Sequence, residues 1–225
     1  MKNFIDELDA AIGEHALLQH PFYQAWNNGT LSKEALREYA KQYYQFERAF
    51  PTYVSQVHAN TTDPETRKQL LENLIEEEHG EVNHPELWLR FSDALGLSRD
   101  EVKNAELFPE TAALLETMRS LTREGDTLEG ISALYGYESQ IPEVSKTKIA
   151  GLEKHYGISD DRGLSFFRVH QAADLVHAQG ERDCIEKHIT TTADEARATA
   201  AATTAAKAMY GMLTGITVRF GIHCN

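Results

Sequence analysis

The feature that most constrains this chain is a row of three polar residues, His170, Asp174 and His177, in the segment that runs from Arg168 to His188. Positions i, i+4 and i+7 of an α-helix fall within an arc of about 60°, so these side chains leave one face of a predicted helix. Buried imidazoles and carboxylates without partners are costly, and a metal ion is a common partner for such a set. The alternative is that one histidine makes a hydrogen bond in the core while the others lie at the surface. Apolar residues interleave with the row and argue against a freely solvated face: Phe166, Phe167, Val169, Ala173 and Val176.

Glutamates and a histidine in the segment EEEHGEVNHPELW are further candidate ligands. His84 follows Glu77 by seven positions, so the two residues share a face if one helix continues through Gly80. Glu81 precedes His84 by three positions, which is the Glu-x-x-His spacing that di-iron bundles use. The spacing leaves Glu77 and Glu81 as alternatives, and surplus acids in such a run more commonly form a solvated face.

Glu138 is a clearer candidate, because it lies in the apolar and aromatic stretch ISALYGYESQIP with no basic residue nearby. A carboxylate in such surroundings requires a cation. Together with the row on the late helix, these residues make a set of nitrogen and oxygen ligands that suits two transition-metal ions bridged by a carboxylate. A set of nitrogen and oxygen ligands without thiolate favours iron or manganese over structural zinc. Such a set also leaves coordination positions open for O₂.

Helical periodicity and capping signals extend along the whole sequence, and we find neither an internal repeat nor strand alternation of useful length. We predict about eight to ten helices, with Pro51 kinking a long tyrosine-rich helix and Pro142 breaking or bending another. A chain of 225 residues with 41% hydrophobic content can form one well-filled core. We therefore expect an all-α bundle in a single domain over residues 1–225, with an Ala- and Thr-rich last helix packed inside or at a subunit contact.

Charge and cysteine usage restrict the partners and the compartment. A formal charge of -13 lacks the concentrated positive face that nucleic acid or an anionic membrane requires, so we expect neither partner. Cys184 and Cys224 cannot form a disulfide framework, and acidic residues stand where a signal peptide would have its apolar core. We expect a cytoplasmic protein with free thiols that forms a homodimer.

Five stretches of the chain together resemble a known family: HPFYQAW, the tyrosine-rich second helix, EEEHGEVNHPELW, LYGYESQIPEVSKTK and the H-x3-D-x2-H helix. They resemble the heme-oxygenase-like all-α fold of the PqqC and TenA groups. Within that fold the chain is most similar to the CADD family, named for the Chlamydia protein associating with death domains and also known as folate-related p-aminobenzoate synthases. The resemblance favours Glu77 over Glu81 and leaves Glu81 as a residue beside the ligands. The ligands it implies for two metal ions, Fe with Fe or Mn, are Glu77, His84, Glu138, His170, Asp174 and His177.

The resemblance also implies an activity, the O₂-dependent formation of p-aminobenzoate for folate synthesis in a single turnover. The carbon skeleton would come from a tyrosine of the protein itself and the amino group from a lysine, with an external reductant supplying electrons. By motif the tyrosine is Tyr23, with Tyr137 as a second candidate, and the lysine is Lys148. A phenol held near a metal-bound oxidant readily loses a hydrogen atom, and Tyr39 or Tyr43 could relay the radical. From the sequence alone, Lys148 is equally well a surface lysine.

Two other classes of function remain open from the sequence. One is a cofactorless PqqC-like oxidase or a TenA-like hydrolase on the same fold, although the hydrolase needs a nucleophilic cysteine and neither Cys184 nor Cys224 lies at a position typical of that family. The other is a protein-interaction module of the death-domain-binding type, for which the chain contains no dedicated docking segment. A metal assay separates these classes, since only the oxygenase requires two ions per chain.

Overall fold

The computed structural model describes residues 4–222, and these residues form α-helices and no strand, as predicted. A 3-10 turn at Leu17–Gln19 and a π-helical turn at Leu152–Tyr156 complete the regular structure of this part of the chain. The twelve helices are α1 Phe4–Gly13, α2 Pro21–Asn28, α3 Lys33–Glu47, α4 Phe50–Asn60, α5 Pro64–Glu78, α6 His84–Ala94, α7 Arg99–Lys103, α8 Pro109–Arg123, α9 Thr127–Glu138, α10 Ile141–Gly151, α11 Asp161–His188 and α12 Thr192–Phe220.

The count exceeds the predicted eight to ten in part because the chain is divided at two prolines. We expected Pro51 only to kink its helix, whereas Pro142 breaks its helix, which was one of the two predicted alternatives. Pro51 and Pro142 each lie in the first turn of a new helix, α4 and α10 respectively. Proline has no backbone N–H to donate, which costs nothing in a first turn but breaks a helix interior. The predicted tyrosine-rich helix is therefore the pair α3 and α4, separated by Arg48 and Ala49.

The helices that carry the site pack around one continuous apolar core rich in aromatic side chains. The aromatic side chains of α3 and α4 point into this core. Two buried indoles fix the helices that surround the site. Trp88 Nε1 donates a hydrogen bond to the Ala40 carbonyl at 2.7 Å, and Trp26 Nε1 donates to the Lys148 carbonyl at 3.3 Å. Helix α6 is thereby tied to α3, and α2 to α10. None of the helices in residues 4–222 combines the length and apolar character that a membrane span needs.

The Ala-rich face of α12 packs inside the bundle against α9, which confirms the first of the two predicted locations. The small residues are buried along the whole contact: Ala198, Ala201, Ala202, Ala205 and Ala206. On α9, Gly136 lies so close to α12 that a Cβ atom added there would stand 2.4 Å from the Ala202 carbonyl oxygen. This approach holds the end of α9, and with it Glu138, against the core.

Gly136→Ala is expected to destabilise the protein, because the added methyl group meets backbone that cannot move aside. We expect a loss of about 1–3 kcal/mol, typical of overpacking, and a fall of several degrees in the thermal unfolding midpoint. Gly211→Ala is the matched control, since nothing lies within 4 Å of its added Cβ in α12. Alanine has the higher helix propensity, so the control should unfold at the same or a higher temperature. Equal midpoints for the two variants would contradict the close α9–α12 contact.

Candidate metal centre and tyrosine–lysine cluster

A first group of metal-ligating side chains joins three helices. Glu47 from α3, His84 from α6 and His170 from α11 are all buried, and each offers one donor atom within 4.8 Å of the others. His170 Nδ1 donates to the Phe166 carbonyl at 2.9 Å, since a carbonyl only accepts. The lone pair of His170 is therefore on Nε2, which lies 3.8 Å from Glu47 Oε1. An imidazole fixed in this way is typical of metal ligands.

A second group joins α5, α9 and α11 through Glu77, Glu138 and His177, whose donor atoms also lie within 4.8 Å of one another. His177 Nδ1 is 3.2 Å from Glu138 Oε1, and His177 Nε2 is 3.1 Å from the exposed Glu76. Asn73 of α5 donates to both carboxylate oxygens of Glu138, at 3.1 and 3.3 Å. Neither Glu76 nor Asn73 was a candidate from the sequence, because no local pattern marks which residues of α5 meet α9 and α11.

The two groups adjoin, so all six predicted ligands lie in one buried volume. Glu77 Oε1 is 2.8 Å from His84 Nδ1 and connects the groups. Asp174 Oδ1 lies 3.6 Å from His177 Nδ1, on the same face of α11. The six side chains are only 1–3% exposed. The helical row of α11 is therefore buried, although two of the flanking apolar residues are not, since Val169 and Val176 are 38% and 65% exposed.

The route by which Glu77 meets His84 differs from the prediction. One helix does not continue through Gly80, because α5 ends at Glu78 and Gly80 has a φ of +87°, in the left-handed region. Asn83 then caps α6, so that His84 is the first residue of a new helix. The expectation of a shared helical face is wrong, and the loop between the helices makes the contact. Glu81 is exposed in this loop, away from the buried groups.

Glu47 is the residue of the two groups that the sequence reasoning missed. It is 1% exposed, at the C-terminal end of α3 between the buried Phe46 and the exposed Arg48. An acid in an aromatic run was the signal that identified Glu138, and the same signal marks Glu47. The adjacent arginine obscured it, because a neighbouring base makes a solvated ion pair the simpler interpretation. Arg48 in fact turns outward and donates to the Lys103 carbonyl.

Several acids are buried close together in this centre, and their burial shifts their pKa values and those of the neighbouring histidines. Burial raises the pKa values of Glu47 and Glu77, and neighbouring carboxylates raise them further. Burial raises the pKa of Asp174 to about 7. Burial lowers the pKa values of His84 and His170. For His177, burial alone would lower the pKa, but bonds to Asp174 and Glu138 outweigh it and raise the pKa to about 11.

This donor set fits a pair of divalent cations. Several of its atoms are buried without any hydrogen-bond partner in the described part of the chain: Glu47 Oε1, Glu77 Oε2 and Asp174 Oδ2. Buried polar atoms without partners are uncommon in folded proteins, and an unplaced ion is one of the accepted reasons for them. Imidazole and carboxylate without thiolate suit iron or manganese.

Next to the first group lies a cluster of aromatic rings around one buried amine. Lys148 of α10 is 1% exposed, and its Nζ lies 4.8 Å from the centre of the Tyr43 ring, 5.3 Å from that of Tyr39 and 5.4 Å from that of Tyr23. Burial lowers the pKa of this lysine to about 7, although the negative charge of Glu47 opposes the shift. Lys148 is therefore a core residue beside the predicted tyrosine, and the surface alternative is wrong.

The tyrosine hydroxyls of this cluster form two hydrogen-bonded pairs. Tyr23 and Tyr39 join at 3.1 Å, and Tyr43 is hydrogen-bonded to Tyr137. Burial raises the pKa values of all four phenols, so they are protonated at neutral pH. The charges of Glu47 and Asp174 raise the pKa values of Tyr43 and Tyr137 further. The Tyr43 ring centre lies 6.4 Å from that of Phe166, which stacks on the His170 ring at 3.9 Å, so Tyr43 is on the metal-centre side of the cluster.

Cys184 does not supply the nucleophile that a TenA-like hydrolase would need. It is buried on α11, and burial raises the pKa of its thiol, so the reactive thiolate is disfavoured. Cys224 lies outside the described residues.

An all-helical bundle that encloses two adjoining groups of buried imidazoles and carboxylates has the arrangement of side chains with which helical bundles bind metal ions. Comparison with known proteins agrees. A family model described as "Iron-containing redox enzyme" matches residues 37–210. The chain is 42% identical to a 4-aminobenzoate synthase of Nitrosomonas europaea, over 95% of this chain and 90% of that one. It is 41% identical to a 4-aminobenzoate synthase of Chlamydia trachomatis, over 94% and 90% of the two chains.

A solved TenA homologue from Pseudomonas syringae superposes with a TM-score of 0.83 at 17% identity, covering 96% of this chain and 93% of the other, which shows the heme-oxygenase-like fold. The chain belongs to the heme-oxygenase-like family of iron-containing redox enzymes, in the same group as the Nitrosomonas and Chlamydia proteins. The resemblance to the CADD family is confirmed.

Proposed function

We propose that this protein is an O₂-dependent enzyme that makes p-aminobenzoate (4-aminobenzoate) from one of its own tyrosine side chains, with a lysine as the amino donor. The names of the relatives that are 41–42% identical support the product. The single observation that carries the proposal is the position of Lys148, a buried amine within 5.4 Å of the Tyr23 ring centre. A neutral side chain could pack among these tyrosines equally well, so packing alone does not explain an amine at this position.

The chemistry of the product explains why these residue types are needed. The ring and Cβ of a tyrosine contain the carbon atoms of p-aminobenzoate. Its formation requires a new C–N bond at the ring carbon whose phenol C–O bond breaks, and the lysine releases its nitrogen when its Cε–Nζ bond breaks. The tyrosine Cα–Cβ bond must also break as Cβ is oxidised to a carboxylate, with O₂ as the oxidant. An amine attacks an oxidised ring only when it is neutral. Burial brings the pKa of Lys148 to about 7 and so makes the neutral amine available near neutral pH. The surrounding aromatic rings exclude water from the reacting groups.

The hydroxyl pairs supply a path for a hydrogen atom between the metal centre and Tyr23. The Tyr43 ring contacts Phe166, which stacks on His170, and the Tyr39 ring centre lies 5.4 Å from that of Tyr43. The Tyr39 hydroxyl then bonds to that of Tyr23. We assign Tyr23 as the consumed residue and Tyr39 and Tyr43 as the relay, with Tyr137 as the alternative source of the product.

Two metal ions, Fe with Fe or Mn, would activate O₂ in this centre, with electrons from an external reductant. The predicted ligands would hold them: Glu77, His84, Glu138, His170, Asp174 and His177. Glu47 would join this set, because its donor atom lies within 4.8 Å of those of His84 and His170. These side chains are buried, so they would keep bulk water from the ions and from the neighbouring tyrosines.

Intact-mass analysis of the purified protein tests the proposal. After reduction and exposure to air, we expect p-aminobenzoate to appear in an amount no greater than one per chain. The chain should lose most of one tyrosine side chain, and peptide mapping should locate the loss at Tyr23. A chain of unchanged mass that continues to release product over many turnovers would mean that the substrate is external.

A further inference from the structure

A buried carboxylate beside the second group has no role in the arrangement described so far. Glu181 lies on α11, eleven residues after His170 and four after His177. Eleven residues turn an α-helix by about three full turns and 20°, so Glu181 continues the polar row on the same face. It is 2% exposed.

The surroundings of Glu181 do not satisfy it. Neither carboxylate oxygen has a hydrogen-bond donor in residues 4–222, although the carboxyl group neighbours that of Glu138. Two carboxylates in contact repel each other unless a proton or a cation lies between them. Asn73 donates both of its hydrogen bonds to Glu138 and none to Glu181.

We propose that Glu181 is an additional carboxylate ligand of the ion bound by Glu77, Glu138 and His177. This inference rests on the metal pair of the proposed function but not on the identity of the product. A bound cation would satisfy the unpaired oxygens of Glu181 and remove its repulsion with Glu138. With Glu181, the second group would contain three carboxylates and one imidazole, with Asp174 beside His177, whereas the first group contains one carboxylate and two imidazoles.

A glutamine at position 181 distinguishes two possible roles of Glu181: a metal ligand, or a protonated acid that only makes a hydrogen bond to Glu138. Glu181→Gln keeps the size of the side chain and can donate a hydrogen bond to Glu138, as a protonated Glu181 would, but it has no negative charge. We expect the metal-loaded full-length variant to lose one of its two ions to a competing chelator at least about tenfold faster than the wild type, as followed by elemental analysis. Asp183→Asn, which removes a charge from the exposed side of α11, should retain both ions.

Glu181→Asp provides a second test, because it preserves the carboxylate on a side chain that is one methylene group shorter. We expect this variant to hold its metal more firmly than Glu181→Gln, with helix content by circular dichroism unchanged in both. Retention of both ions by Glu181→Gln at the wild-type rate would overturn the inference and leave Glu181 as a hydrogen-bonding acid. A wild-type chain that binds no metal would instead refute the proposed function itself.

Discussion

Replacing Tyr23 by phenylalanine is expected to stop p-aminobenzoate formation, with product falling at least about a hundredfold, because the phenol that would be oxidised is removed. The ring stays in place between Phe22, Trp26 and Tyr39, so the core should be preserved. The lost hydrogen bond to Tyr39 should lower the free energy of unfolding by only about 1 kcal/mol. Product is measured by mass spectrometry after one cycle of reduction and aeration.

Tyr135→Phe is the matched control, since Tyr135 is on the same helix as Tyr137 but its hydroxyl donates to Asp9 at 2.6 Å, outside the Lys148 cluster. This variant should form product as the wild type does. Undiminished product from Tyr23→Phe would contradict the assignment. If Tyr137→Phe then abolished it, the consumed residue would be the second candidate.

Replacing Lys148 by methionine is expected to lower p-aminobenzoate formation as much as Tyr23→Phe does, because the amine donor is removed. Methionine nearly preserves the buried volume of the lysine side chain. The variant should still bind metal, so metal content is measured alongside product. Lys146→Met is the control: Lys146 is exposed, with its ammonium 3.2 Å from Glu143, and its loss should leave product formation unchanged. Product from Lys148→Met would show that the nitrogen has another source.

The lowered pKa of Lys148 also sets a pH dependence. With a folded pKa of about 7, the amine is mostly protonated below that value and mostly neutral above it. The rate of product formation in the wild type should therefore rise as the pH passes from about 6 to about 8, because only the neutral amine is a nucleophile. A rate that falls over this range would argue against a nucleophilic lysine.

The sequence predicted those parts of the site that depend on local periodicity. The row of His170, Asp174 and His177 is a property of one helix. Glu181 continues the same spacing, but it was not among the predicted residues. Start and stop signals are equally local: Ser32 and Asp63 cap their helices, and Gly29 ends α2 in the left-handed conformation.

Contacts between distant segments were beyond the reach of these patterns. Glu47 acquires its role only because α3 packs against α6 and α11, which bear His84 and His170. The burial of Lys148 likewise depends on α10 packing against α2 and α11. The Glu77–His84 contact was predicted for a reason that failed, since a loop rather than a continuous helix brings them together.

The proposed O₂-dependent activity requires that the buried imidazoles and carboxylates bind two metal ions. Elemental analysis, with anomalous scattering from crystals of the purified protein, measures this directly. We expect about two ions per chain, Fe with Fe or Mn, one bound by Glu47, His84 and His170 and the other by Glu77, Glu138 and His177. Protein that makes p-aminobenzoate with neither position occupied would contradict the account.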